Sequence, residues 1–315
     1  MHAVFLDFAS MGSEDLDTTE LSACFETLTL CPATTPDAVV HNMGDAEVML
    51  VNKVPIRAEH FADLPHLKLV LVSATGTDNV DKAAAQAHGV TVCNVTAYGT
   101  PSVAQHTLML MLNLATRFEN YRTDVQAGAW SESERFCLMG HQTIELNGKT
   151  LGLLGAGELG QAVADLARAF GMQVLIWDRD GSGRPGRLSL DALLPQVDFL
   201  SVHCLLTDQT RDLIGAPEIA KMRPGAFIIN TARGGIVNEQ ALLAGLDSGH
   251  LGGAGMDVLT QEPPPADHPL LTPRPNLIVT PHSAWLAREA RQRMVAILAD
   301  NARAYQEGQP RNVVA

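Results

Sequence analysis

The stretch TLGLLGAGELG, residues 150–160, decides how this chain is read. Its opening residues are an apolar run of strand length. Gly155, Gly157 and Gly160 then lead into a segment whose apolar residues Leu159, Val163, Leu166, Ala167 and Phe170 share one helical face. Glycines in that pattern are a weak signal alone, but between a strand and a helix each has a task. The first permits a tight turn, the second lets the backbone approach a pyrophosphate, and the third lets the helix pack on the strand. N–H groups at the helix start, on Glu158, Leu159 and Gly160, lack an intrahelical acceptor and suit an anionic phosphate. The implied ligand is a dinucleotide. After the next apolar run, 173–177, stands Asp178, 18 residues beyond Gly160 (178 − 160). That is close to the spacing of about 20 at which a carboxylate meets the ribose hydroxyls. An acid there repels a 2′-phosphate and favours NAD, whereas Arg179, with Arg184 and Arg187 nearby, offers cations that can tolerate NADP.

Short apolar runs alternate with helix-like stretches on both sides of this motif. Before it come VFLDF, AEVMLVN, LKLVLVSA and VTVCNV, with segments such as DKAAAQAHG between them ending on a glycine stop. After it come QVLIWD, DFLSVHC, AFIINTA, GGAGMDV and NLIVTPH. Two parallel α/β sheets are expected, the second a Rossmann-type doubly wound sheet. Thr100 as cap and Pro101 at the first helical position begin a Met/Leu-rich helix that should run to about residue 121, marking the boundary. A last helix is expected over about 285–306, crossing back over the first domain.

The 315 residues fit two domains, and 46% hydrophobic with 18% charged residues is ordinary globular composition. A net charge of −13 argues against nucleic acid and anionic membrane as partners. Five widely spaced cysteines without a C-x-x-C suit the reducing cytoplasm, and the amino terminus reads as a strand rather than a signal peptide. No apolar run reaches spanning length. Neither H-x-x-x-H nor H-E-x-x-H occurs, so no metal is expected.

Ligands of open α/β sheets bind beyond the carboxyl ends of the strands. In the first half those positions hold Asn52 and Lys53, then Thr75 and Gly76, where backbone N–H groups can hold a carboxylate. In the second half Arg233 follows AFIINTA, Asp257 follows GGAGM, Glu262 lies in the next loop, and His282 follows NLIVTP. Taken singly, these are an ion-pair arginine, a solvated glutamate and a core histidine. Together at one cofactor edge they match hydride chemistry on a 2-oxo acid. Arg233 grips a carboxylate and polarises the adjacent carbonyl, His282 exchanges the proton, and Glu262 orients the imidazole and favours its protonated form. His203, near a strand end, either lines the adenine pocket or edges the core, while His88 and His106 read as structural.

These segments resemble the D-2-hydroxyacid dehydrogenase family, and within it the glycerate dehydrogenase (hydroxypyruvate reductase) group. The resemblance is carried by ATGTDNVD (74–81), YGTPSVAQHT (98–107), LNGKTLGLLGAGELG (146–160), NTARGGIVNE (230–239), MDVLTQEPP (256–264) and TPHSAWLAREAR (280–291). The group within the family rests on Gln105, Trp285 and the WSESERF segment at 130–136. The resemblance implies a flavodoxin-like substrate-binding domain, residues 1–99 and 286–315, into which an NAD-binding Rossmann domain, 100–285, is inserted, with catalysis in a cleft. It implies Arg233, Glu262 and His282 as the catalytic set and Gly76 as a carboxylate binder. It further implies Thr207, Thr231 and Ala232 at the cofactor, and Asp257 at the nicotinamide amide. It also implies a homodimer joined through the NAD-binding domain, with an arm between Tyr121 and Leu146. Trp130 in that arm either packs the interface or walls the neighbouring active site. Two positions depart from the family pattern: Leu205 stands where a proline is expected, reshaping the loop before Thr207, and Asn238 replaces an acidic residue at a local cap.

The expected activity is reduction of a small 2-oxo acid, hydroxypyruvate or glyoxylate, to the D-2-hydroxy acid by NADH, with His282 giving the proton. The alternatives are a lactate-like or phosphoglycerate specificity, or an NADH-sensing binding protein of the corepressor kind that shares this fold.

Overall fold

The computed structural model describes residues 1–179, 181 and 183–315. The chain divides into two compact units, one formed by 1–99 with 285–315 and the other by 100–284.

In the first unit five parallel strands, β1 (His2–Phe5), β2 (Thr27–Leu30), β3 (Val48–Val51), β4 (Leu69–Val72) and β5 (Thr91–Cys93), lie in the order β2-β1-β3-β4-β5. The central strands β3 and β4 are buried throughout, as continuous apolar runs covered on both faces must be. Short helices α1 (Thr19–Ser22), α2 (Val39–Met43), α3 (Ala58–Asp63) and α4 (Lys82–Ala87) connect them. Asp81 starts α4 by accepting the Ala84 N–H. Strand β2 was not legible in the sequence, because as an edge strand it is mostly exposed and carries no apolar run.

The second unit opens with α5 (Thr100–Thr116) and α6 (Phe118–Gln126), followed by β6 (Thr150–Leu154), α7 (Glu158–Ala169), β7 (Gln173–Trp177) and β8 (Arg187–Leu188). It continues through α8 (Leu190–Leu193), β9 (Phe199–Val202), α9 (Ala216–Lys221), β10 (Ala226–Asn230), α10 (Glu239–Asp247), β11 (Leu251–Met256) and β12 (Leu277–Val279). All seven strands are parallel in the order β12-β11-β10-β9-β6-β7-β8, so the order reverses between β6 and β9. That reversal is the switch point where a doubly wound sheet binds its ligand.

The helix expected over 100–121 is broken at Arg117, whose φ of 54° is left-handed and ends α5 one residue before α6 begins. Thr100 is itself helical, and its hydroxyl donates to the Glu158 carboxylate (2.8 Å) instead of capping α5. Glycines in β11 explain the seating of α5. A Cβ at Gly255 would lie 3.0 Å from Leu110 Cβ, and one at Gly253 3.0 Å from Leu114 Cδ2, so the helix rests almost on the strand.

The final helix, α11 (Arg288–Gln306), starts three residues later than expected. Met294, Val295, Leu298, Ala299 and Ala302 pack on Ala3, Phe5, Val48, Leu50, Leu69 and Leu71 of the first unit's sheet. Trp285, read with the second half from sequence, packs in this same cluster.

Candidate active site

Strands β10, β11 and β12 are adjacent and in register, Asn230 beside Met256 and Met256 beside Val279, so whatever follows each strand gathers at one edge. After β10, the buried Asn230 folds the chain back on itself. Its Oδ1 accepts the Ala232 N–H (3.0 Å) and its Nδ2 donates to the Arg233 carbonyl (2.9 Å), fixing the turn that carries Arg233. Gly234 is required next. A Cβ there would sit 1.9 Å from the Leu259 carbonyl oxygen, so only glycine lets the arginine turn pass the loop after β11. Sequence reading assigned no task to Asn230 or Gly234, because each acts on a partner that only the fold identifies.

That loop carries Glu262, whose Oε1 accepts the Leu259 N–H (2.8 Å) while Oε2 lies 2.6 Å from Nδ1 of His282. Burial alone would raise the Glu262 pKa. The His282 contact, the Leu259 N–H and the Arg233 charge outweigh it and hold the carboxyl below the usual glutamate range. An ionised Glu262 accepts Nδ1–H, which leaves Nε2 of His282 to exchange a proton. The two side chains are each about a third exposed (34%), enough to reach a ligand. A cavity of about 550 Å³ adjoins the pair, walled by Leu259, Leu270, Leu277 and Val279.

Asp257, expected at the nicotinamide amide, is also among the residues lining this cavity. Its side chain is 1% exposed, and Oδ1 accepts the Thr280 hydroxyl (2.5 Å) and the Ser283 N–H (2.9 Å) while Oδ2 accepts the Ala284 N–H (3.0 Å). The carboxylate thus anchors the His282 turn to the end of β11. Thr231, expected at the cofactor, is also buried, with its hydroxyl 2.9 Å from that of Thr107, so its side chain serves the scaffold; Ala232 beside it is half-buried.

The glycine turn has the form a pyrophosphate needs. Gly155 has φ +112°, and a Cβ there would meet the His203 carbonyl oxygen at 2.6 Å; at Gly160 it would meet the Gly155 oxygen at 2.1 Å. At Gly157 nothing lies within 4 Å, so this backbone faces open space at the N-terminus of α7, beside Glu158 and the half-buried Leu159. These residues fit a dinucleotide. Asp178 follows β7, the strand next to β6, and its Oδ2 accepts the Gly183 N–H (2.8 Å); Arg179 beside it is exposed. His203 sits against the turn as a core-edge residue. Burial pushes its pKa down to about 4, and its Nε2 lies 2.8 Å from Ser201 Oγ. Thr207 is exposed in a loop organised by the buried Thr210, whose hydroxyl accepts the Thr207 N–H (2.8 Å). Leu205 in that loop is 70% exposed. Asn238 is the N-cap of α10, accepting the Ala241 N–H (2.9 Å).

In the first unit the expected substrate residues follow β3 and β4. Asn52 is 3% exposed, its amide donates to Ser10 Oγ (2.9 Å), and its N–H goes to Asp7. Asp7 also accepts the N–H groups of Lys53 and Val54, which makes it the organiser of this edge. Lys53 and Thr75 are exposed and Gly76 is half-buried, with the Thr75 hydroxyl donating to the Val95 carbonyl (2.9 Å).

Among the described residues, no helix is long and apolar enough to cross a membrane, and no group of three or more His, Cys, Asp or Glu is placed to hold a metal ion.

The NAD-binding-domain model of the D-isomer specific 2-hydroxyacid dehydrogenases matches residues 108–284. The chain is 44% identical to the glycerate dehydrogenase of Methylorubrum extorquens, over 89% of each protein. It is 35% identical to the hydroxypyruvate reductase of Blautia hydrogenotrophica, over 100% of this chain and 99% of that one. The crystal structure of the TT0316 protein from Thermus thermophilus superposes with a TM-score of 0.86 at 31% identity, covering 100% of both chains. With the family's cofactor domain matched along the unit that holds the glycine turn and the Glu262–His282 pair, and with relatives matched over nearly its whole length, the chain belongs to the D-isomer specific 2-hydroxyacid dehydrogenases and uses NAD.

Proposed function

We propose that this NAD-dependent 2-hydroxyacid dehydrogenase reduces hydroxypyruvate or glyoxylate to the D-2-hydroxy acid, with Arg233, Glu262 and His282 as its catalytic residues. The 2.6 Å contact between Glu262 and His282, next to the arginine turn on the adjacent strand, carries this reading. Bound NADH supplies the hydride. Arg233 binds the substrate carboxylate with its planar fork and draws charge from the neighbouring carbonyl. His282 gives a proton from Nε2 to the carbonyl oxygen, and Glu262 holds the ring at Nδ1 and stabilises the cation before the transfer. Gly155, Gly157 and Gly160 with Glu158 and Leu159 cradle the pyrophosphate, Asp178 takes the ribose, and Thr207 and Ala232 complete the cofactor contacts. Lys53, Thr75 and Gly76 are the substrate residues we assign to the first unit. The substrate class rests on relatives named glycerate dehydrogenase and hydroxypyruvate reductase.

The protein acts as a homodimer in this reading. Supporting it, exposed Phe118, Val125, Trp130, Phe136 and Met139 fall within one segment of the second unit, and Phe136 is 90% exposed. An apolar groove of about 680 Å³ between α5 and α7, lined by Leu108, Met109, Leu112 and Leu166, adds a second apolar surface. A cytoplasmic location is supported by five cysteines that are all unpaired.

The test is the initial rate of NADH, and separately NADPH, oxidation across hydroxypyruvate, glyoxylate, pyruvate, 2-oxobutyrate and phenylpyruvate. Preference for hydroxypyruvate or glyoxylate with NADH is expected. Preference for another acid overturns the substrate, and no turnover despite NADH binding favours an NADH-sensing role. His282→Ala should lose most turnover while still binding NADH.

A further inference from the structure

His282 sits in a turn whose own backbone is unfavourable. Its φ is 52°, a left-handed conformation uncommon for a residue with a side chain, so the turn 280–284 must be held from outside. Part of the hold comes from Asp257, whose side chain takes Thr280, Ser283 and Ala284, and whose carbonyl accepts the His282 N–H (2.8 Å). The rest comes from α5. His106 Nε2 lies 3.0 Å from Thr280 Oγ1, and Ser102 Oγ donates to the Ala284 carbonyl (2.6 Å). These contacts fall two residues before and two residues after His282. Ser102 and His106 are four apart and so share one face of α5. The seating of Leu110 and Leu114 on the glycines of β11 brings that face to the strand ends.

The proton assignment follows from the bonding. Thr280 has one hydroxyl hydrogen, and at 2.5 Å it goes to the Asp257 carboxylate, which has none to return. The Thr280 oxygen is therefore the acceptor, and Nε2–H of His106 is the donor. Burial, partly offset by the Asp257 charge, lowers the His106 pKa, which suits a neutral ring protonated at Nε2.

We propose that His106 and Ser102 are positioning residues for the reaction, gripping the turn on either side of His282 so that its ring stays against Glu262. This rests on the reading of His282 as the acid/base. Loss of either grip lets the turn relax from its left-handed state and carries the imidazole away from Glu262. A displacement of about 1 Å at a reacting group is enough to cost up to about 100-fold in rate.

The experiment compares full-length His106→Ala, His106→Gln, Ser102→Ala and His282→Asn with the unmodified enzyme. Thr116→Ala, which removes a hydroxyl that donates to the Leu112 carbonyl within α5, is the control. Readouts are kcat and KM for NADH-dependent hydroxypyruvate reduction, and the thermal midpoint. His106→Ala and Ser102→Ala should each lower kcat at least about tenfold, with KM for NADH within about twofold. His106→Gln keeps an N–H donor and should recover most of kcat. Should His106→Ala fail to fold, Ser102→Ala carries the same test. Wild-type kcat in both alanine variants overturns the proposal, as does a glutamine variant no better than alanine, which would mean packing alone. If His282→Asn keeps turnover, the reading of His282 fails and the positioning roles fall with it. If His282→Asn is inactive while the α5 variants are unchanged, only the positioning roles are overturned.

Discussion

Nδ1 of His282 lies 2.6 Å from Oε2 of Glu262, and the other oxygen of that carboxylate is held by the Leu259 N–H. The pair is a charge-assisted contact with one end fixed to the backbone, so Glu262 holds the ring without being free to follow it.

Glu262→Gln tests this pair by pH. Because the folded-state pKa of Glu262 lies below its ordinary value, its stabilising contribution is present above the unfolded value of about 4.3 and disappears as pH falls through the lower folded value. The variant should be less stable than wild type at pH 7, and the gap should close below about pH 4 in denaturant titrations. Reduction of the oxo acid needs a protonated imidazole. Without the carboxylate that holds the ring, Glu262→Gln should also lower kcat. A kcat equal to that of the wild type would remove Glu262 from its proposed role.

The glycine turn separates folding from binding. A Cβ at Gly160 would stand 2.1 Å from the Gly155 oxygen, whereas one at Gly157 meets nothing within 4 Å. Gly160→Ala should therefore lower the thermal midpoint by several degrees, at a cost of roughly 1–3 kcal/mol. Gly157→Ala should melt like wild type while its Kd for NADH rises at least about tenfold, a loss of about 1.4 kcal/mol. Equal effects on melting and binding in the two variants would contradict the assignment of Gly157 to the pyrophosphate.

Arg291 is a buried structural cation of the first unit. It makes a two-pronged contact with Asp15 (2.7 and 2.9 Å), donates to the Leu286 carbonyl (2.9 Å), and is bonded to the Met11 and Gly12 carbonyls. Arg291→Ala leaves those acceptors without a donor and should cost roughly 2–4 kcal/mol in urea unfolding. Asp15→Ala should cost less, since the carbonyls still neutralise part of the buried charge. A larger loss in Asp15→Ala would place the main stabilisation in the ion pair.

The amino-acid sequence alone determined the parts of this protein whose causes are local. A strand, three glycines, a helix and Asp178 lie within 29 consecutive residues (150–178, 178 − 150 + 1), so period and turn chemistry were enough to place the cofactor turn. Arg233, Glu262 and His282 were legible because each follows an apolar run, and parallel strands bring their carboxyl ends to one edge. Strands β2 and β8 escaped because β2 is mostly exposed and β8 is only two residues long, so neither carries a run of apolar residues. Only the tertiary structure decided which partners Asn52, Thr231 and Asp257 bond to, and that Gly234 is required by the Leu259 carbonyl. It alone joined His106 to Thr280 across 174 residues and Ser102 to Ala284 across 182. The physical reason is that a polar side chain's role depends on which partner burial brings within about 3 Å, and for these residues that partner lies on a different element of the fold.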